Sequence, residues 1–184
     1  MADLRAAFDD YWEHVTPGDR ARAEFVIGHP ADPETFLQSG DWHLASVPWS
    51  HVMIARGAKE AGDWRIRAAR TGTYRFEVRR WPVEVTAPIR GVPVIENTVD
   101  AWDARGPKTT MIYAGEKPPF TALPVAFVRL KVGAFHETRP VGEDDVVVSF
   151  DVRLDKTNCD LKAEFLDAQR RVIAGGYYVY CRRK

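Results

Sequence analysis

Between residues 72 and 79 the chain runs Gly-Thr-Tyr-Arg-Phe-Glu-Val-Arg, and this strict alternation of bulky apolar with charged side chains constrains the fold more than any other feature. Successive side chains of a strand point to opposite faces, so Tyr74, Phe76 and Val78 are expected on one side with charged residues on the other. Such a segment is a half-buried antiparallel strand, and its apolar face requires a second layer to cover it. Residues 146–154 alternate in the same way, 24–27, 52–54 and 64–68 read as shorter strands, and 123–132 as a more continuously apolar one. Residues 159–166 and 172–180 form a terminal hairpin around 167–170 in this reading. Several short strands with turn signals between them predict a mainly β fold, an antiparallel β-sandwich or jelly roll with one N-terminal helix and long loops.

The helix is expected just after Asp3, a candidate N-cap, where Leu4, Phe8, Tyr11, Trp12 and Val15 recur at helical spacing along one face. Thr16-Pro17-Gly18 ends it, so residues 1–18 are expected as helix and linker and 19–184 as one sandwich-like domain. One helical turn is expected near 33–38. Residues 82–122 carry six prolines, and long connections are expected there, with 98–102 and 110–113 as short strands or turns. A chain of 184 residues can bury roughly two-thirds of its unfolded surface around one core.

Lys plus Arg and Asp plus Glu both number 26, so no net field draws the chain to nucleic acid or to an anionic membrane, and neither is expected as a partner. The opening MADLRAAFDDYWEHV lacks the basic-then-apolar pattern of a secretory signal, so the sequence as it stands is expected not to be self-targeting, and its compartment stays open. Cys159 and Cys181 are too few for a disulfide scaffold or a thiolate zinc site. In the terminal hairpin Cys159 would face about Tyr178, leaving Cys181 out of register, so two free thiols are expected.

Candidate chemistry is sparse. His14, His29, His43, His51 and His136 show no metal-ligand spacing, and neither a metal nor a cofactor is expected. His43 and His51 share a segment with Asp41 and could converge as a hydrolase site, although isolated histidines near aromatics more often serve packing. Neither a G-x-S-x-G elbow nor a phosphate-binding glycine loop occurs, and no catalytic residue is assigned. Six tryptophans stand out. Trp12, Trp64 and Trp81 are expected in packing, while Trp42, Trp49 and Trp102 lie in loop-like text and are candidates for stacking on sugar rings. The string Arg79-Arg80-Trp81-Pro82-Val83-Glu84 offers two guanidiniums and a carboxylate around an indole. It either clamps an anionic group or, as the favoured reading, forms a cation–π stack and an ion pair that anchor the strand end.

Residues 8–17 (FDDYWEHVTP), 36–42 (FLQSGDW), 49–57 (WSHVMIARG), 62–64 (GDW), 72–84 (GTYRFEVRRWPVE) and 175–180 (GGYYVY) together resemble the C-terminal portion of bacterial arylsulfatases of the type I sulfatase family. The 72–84 string is the most specific. The resemblance runs over about residues 8–181 and implies a strand-rich accessory region that packs on, or shapes access to, a sulfatase catalytic domain, in cis or in trans, in a family often periplasmic or secreted. The family's formylglycine motif, C/S-x-P/A-S-R, has no counterpart here: Cys159 precedes Asp-Leu-Lys and Cys181 precedes Arg-Arg-Lys. The resemblance therefore implies a parent that is a sulfuric ester hydrolase but no catalysis by this chain. Two other roles stand beside it: a carbohydrate-binding module for sulfated or acidic glycans using Trp42, Trp49, Trp102, Arg79, Arg80 and Glu84, and an independent hydrolase using His43, His51 and Asp41.

Overall fold

A computed structural model describes residues 2–15, 24–93, 102–103, 106–107 and 120–184. In chain order the elements are helix α1 (Ala2–Val15), strands β1 (Glu24–Ile27) and β2 (Glu34–Gln38), a 3-10 turn (Ser39–Asp41), helix α2 (His51–Ala55), then strands β3 (Trp64–Ala68), β4 (Gly72–Arg79), β5 (Trp102–Asp103), β6 (Gly106–Pro107), β7 (Phe127–Val132), β8 (Phe135–Pro140), β9 (Val148–Leu154), β10 (Asn158–Leu166), β11 (Val172–Gly175) and β12 (Tyr178–Arg183).

The fold is a β-sandwich of two mainly antiparallel sheets. One runs β1-β3-β10-β7-β8, with β11 also paired to β10; the other runs β2-β12-β4-β9. Among the described residues only β1 and β3 pair in parallel. The alternation in β4 sets the second sheet's inner face: Tyr74, Phe76 and Val78 are fully buried. In register beside them stand Val152, Phe150 and Val148 of β9 and Val179 and Cys181 of β12. Opposite lie Trp64 and Ile66 of β3, Leu161, Ala163 and Phe165 of β10, and Val128 and Leu130 of β7. Each of the larger apolar side chains, removed from water, contributes roughly 1.5–3 kcal/mol, which is what holds the layers together.

The outer face of the larger sheet is ionic. Glu164 of β10, almost fully buried, accepts from Arg129 Nε at 2.7 Å, with Lys131 and Lys162 ammonium groups at 3.6 and 3.5 Å. Burial alone would push its carboxyl up, but the Arg129 hydrogen bond and the three cations hold it below the usual glutamate value.

Several expectations are corrected. Within 33–38, residues Glu34–Gln38 form strand β2 instead of a helical turn: Thr35 and Leu37 turn inward while Phe36 turns out, and the edge of β12 pairs with them. Residues 52–54 lie in α2, not in a strand. Ser50 caps it, its Oγ accepting from Met53 N at 3.4 Å, and Gly57 at φ +75 ends it; an apolar run this short fits either element by pattern alone. Residues 172–180 do not form one strand, since the chain leaves the larger sheet after Gly175 and enters the smaller one at Tyr178. At Gly176 a Cβ would lie 2.7 Å from Val78 and 2.8 Å from Ala163, so only glycine lets the backbone cross between the sheets there. Strand β8, turned back from β7 at Gly133 (φ +55), carries no clear alternation and was not anticipated.

Both cysteines are free, and they sit in different sheets: Cys159 pairs with Ile66 rather than facing Tyr178. The apolar stripe of α1 is exposed, Trp12 included, so Trp12 is not a core residue. Trp64 and Trp81 are buried as expected. The short elements expected at 98–102 and 110–113 fall outside the described residues except for Trp102 in β5.

Candidate functional site

Strand β12 carries the sequence Tyr-Val-Tyr-Cys, and alternation sends Val179 and Cys181 into the core while Tyr178 and Tyr180 point outward. Across the edge pairing, Tyr180 stands opposite Phe36 of β2, and Tyr178 opposite Gln38. The result is an aromatic row on the outer face of the smaller sheet. Phe36 and Tyr180 lie 5.0 Å apart between ring centroids at 34°, and Phe36 and Tyr178 lie 5.8 Å apart and nearly parallel at 11°. Phe36 is 43% exposed. Tyr178 is covered, and its hydroxyl lies 3.0 Å from His51 Nδ1 at the start of α2. Burial, with Tyr180 and Glu84 adding to it, pushes the Tyr178 hydroxyl up, so it stays protonated at all ordinary pH. Val83 N donates to the Tyr180 hydroxyl at 3.0 Å, which ties the loop after β4 to one end of the row.

Ionic groups flank the rings. Arg182 pairs with Glu34 at 3.6 Å and with Glu77 at 3.2 Å. Beyond them Asp151 accepts from Arg75 Nε at 3.0 Å and from Lys184 Nζ at 2.7 Å, and these bonds hold its carboxyl down at about 2.

The two arginines at the end of β4 part company. Arg79 follows the outward phase, its guanidinium carbon 6.0 Å from the Tyr180 ring and its nearest carboxylate, Glu77, at 4.0 Å; its Nε is buried with no hydrogen-bond partner. Arg80 takes the inward phase and is fully buried. Its guanidinium donates to the carbonyls of Gly91 at 3.0 Å, Ile54 at 3.5 Å and Thr121, and lies 4.5 Å over the Trp81 ring. Desolvation lowers its pKa from 12.5 to about 10, which still leaves it charged. Arg80 thus fastens helix α2 to the loops at Gly91 and Thr121, and no part of it faces the outer row.

The other singled-out residues are dispersed. Trp42 is in the core, 4% exposed, packed 5.6 Å from Trp64 and 6.2 Å from Tyr177 between ring centroids. Two glycines make room for it: a Cβ on Gly62 would sit 2.5 Å from the indole base, and one on Gly175 would sit 2.3 Å from its far edge. Trp49 is 76% exposed, just before Ser50 and His51. Glu84 is exposed and close enough to Tyr178 and Tyr180 to act on both hydroxyls. The side chain of Trp102 lies outside the described residues. Asp41, His43 and His51 are all exposed, and no hydrogen bond joins their side chains among the described residues; the partner of His51 is Tyr178. Burial pushes both thiols up, Cys181 the more strongly. Phe36, Tyr178 and Tyr180 were not singled out from the sequence, although aromatics at i and i+2 in Tyr-Val-Tyr were the available signal.

The class that fold and face define is a strand-rich β-sandwich with an outward aromatic row. No family model matches the sequence, and no curated protein matches it. Among solved structures the chain is similar to a ruminal GH26 endo-beta-1,4-mannanase at 11% identity and TM-score 0.42, over 82% of this chain and 26% of that one. It spans about a quarter of that protein's length, and a likeness this slight bears on neither chain's role.

Proposed function

We propose that this chain is a non-catalytic accessory module that packs on a larger sulfatase-type catalytic domain, in cis or in trans, and shapes access to it. The observation that carries this reading is the α1 stripe. Leu4, Phe8, Tyr11, Trp12 and Val15 are between 48% and 77% exposed on a helix whose opposite side carries Asp9, Asp10 and Glu13. An apolar stripe of this kind is the signature of a helix that a partner surface covers. Covering five half-exposed side chains yields on the order of 5 kcal/mol. That sum lies near the lower end of the cost of association, so the helix alone binds weakly and the sandwich must supply further contacts. The resemblance of residues 8–181 to the C-terminal portion of bacterial arylsulfatases supplies the kind of partner.

The test is to titrate the full chain onto an arylsulfatase catalytic domain trimmed of its own C-terminal region, with 4-nitrophenyl sulfate as reporter. A complex in sedimentation velocity and a shifted KM are expected, both weakened by the double change Leu4→Ser, Phe8→Ser. Neither complex nor KM shift at high micromolar chain would count against the reading.

A further inference from the structure

We propose that the outer face of the larger sheet holds a site for a tetrahedral oxyanion, a phosphate or sulfate group, between Lys131 of β7 and Lys162 of β10. Alternation buries Val128, Leu130 and Val132 and turns Arg129 and Lys131 outward. Lys162 and Glu164 take the same outward phase on β10. The register then sets Lys131 directly opposite Lys162, and Arg129 directly opposite Glu164. Like charges directly opposite in a ladder are destabilising, so the two ammoniums need an anion between them.

Glu164 meets only part of that need. Its Oε2 is taken by Arg129, whose Nε and Nη2 both lie at 2.7 Å. The Lys131 and Lys162 ammoniums stand at 3.6 and 3.5 Å, within ion-pair range but longer than a normal hydrogen bond. Each has three donors to give, and their side chains are 43% and 36% exposed, so a dissolved anion reaches them. Three cations around one carboxylate leave a local surplus of two positive charges. On β8, His136 faces Lys131 and Thr138 faces Arg129, and neither brings a carboxylate.

The rest of the face does not cancel the surplus. Towards β1 and β3, Glu24 pairs with Arg65 and Arg67, and Asp160 with Arg65, while Asp63 shares the outward phase just before β3. At the other end Arg170 lies over the Phe127 ring. The described face thus carries six cations, Arg65, Arg67, Arg129, Lys131, Lys162 and Arg170, against the four carboxylates Glu24, Asp63, Asp160 and Glu164. In the bordering segments Lys59 offsets Glu60, Lys156 offsets Asp155 and Arg171 offsets Asp167. The β1–β3 end is negative by one, so the excess sits at β7 and β10. A doubly charged oxyanion matches it and offers several acceptor oxygens to the two ammoniums, whereas a carboxylate neutralises half and a neutral ligand none.

The site uses no residue of α1 and stands apart from the docking proposed above. The experiment follows backbone amide shifts of the full chain by NMR at neutral pH and constant ionic strength, titrating inorganic phosphate, inorganic sulfate, phenyl phosphate, phenyl sulfate and acetate in turn. Saturable shifts centred on residues 129–131 and 162–164 are expected with phosphate or sulfate, and weaker ones with acetate. Tighter binding of the phenyl esters would identify a group carried on a larger molecule, and tighter binding of the inorganic ions a free one. Lys131→Gln and Lys162→Gln should each weaken binding about fivefold, the effect of losing one exposed charge contact, while Arg67→Gln on the same face should not. Leu4→Ser with Phe8→Ser should also leave binding intact. The proposal is overturned if no saturable shift occurs by about 20 mM anion, if the shifts centre elsewhere, if acetate binds as well as phosphate and sulfate, or if both lysine variants bind like the parent.

Discussion

Replacing Arg80 with methionine should destabilise the sandwich by roughly 2–5 kcal/mol, from two opposed effects. The guanidinium satisfies the carbonyls of Gly91, Ile54 and Thr121, and hydrogen bonds from a charged donor are worth roughly 1.5–3 kcal/mol each, more when their loss strands a buried acceptor. Its position over Trp81 adds roughly 1 kcal/mol. Against this, the charge is buried: lowering the pKa from 12.5 to about 10 corresponds to about 3 kcal/mol, which methionine recovers. The Ile54 contact is the longest of the three and contributes least, so the net figure stays in single digits. Urea unfolding measures it, through a lower midpoint at unchanged slope. The loss should also be local. Thr121 N bonds to Ala55 O and Leu123 N to Arg90 O, so these amides should exchange faster while those of β4 paired with β9 keep their protection. Arg80→Lys should recover only part, because a compact ammonium lacks the planar spread by which two separate guanidinium nitrogens reach carbonyls on different segments. A methionine variant within about 0.5 kcal/mol of the parent, the size of a surface substitution that removes no contact, would refute this view of Arg80 as the tie between α2 and two loops.

Glu164→Gln should cost about 3 kcal/mol at neutral pH, since it leaves Arg129, Lys131 and Lys162 facing one another over a buried site. Because the folded carboxyl titrates below the ordinary value of 4.5, its contribution is complete above that pH and fades as pH falls through the folded value; acid unfolding curves of the Gln variant should therefore be flatter below pH 4.5 than those of the parent. Gly175→Ala should destabilise by roughly 1–3 kcal/mol by pushing on the Trp42 ring, with a change in near-ultraviolet circular dichroism; a silent substitution would mean that Trp42 is not clamped there. Thiol titration should find two free thiols in denaturant, with Cys181 protected in the folded chain and Cys159, half-buried, slow; rapid reaction of Cys181 would contradict its place in the core.

What could be read from the sequence was the period of its strands. Tyr74, Phe76 and Val78 declared an inward face, and β1 and β3 fell where their residues placed them. What failed was decided by contacts far along the chain. Glu34–Gln38 become a strand because the edge of β12 is free to pair with them, and the break after Gly175 is set by Val78 and Ala163, close in space and distant in sequence. Trp42 looked like surface because it sits in loop text, yet Gly62 and Gly175 open a slot for it in the core. The Arg79-Arg80 pair was noticed as one cluster, but adjacent strand residues face opposite ways, so one arginine serves the outer row and the other the loops. The row itself escaped notice because its members come from strands 140 residues apart.

The most direct measurement is turnover: purified full chain, incubated with 4-nitrophenyl sulfate over several hours, with release of 4-nitrophenol followed by absorbance. If the chain is the non-catalytic accessory module proposed, no product above buffer is expected. Release that scales with chain concentration and survives repeated purification would contradict it.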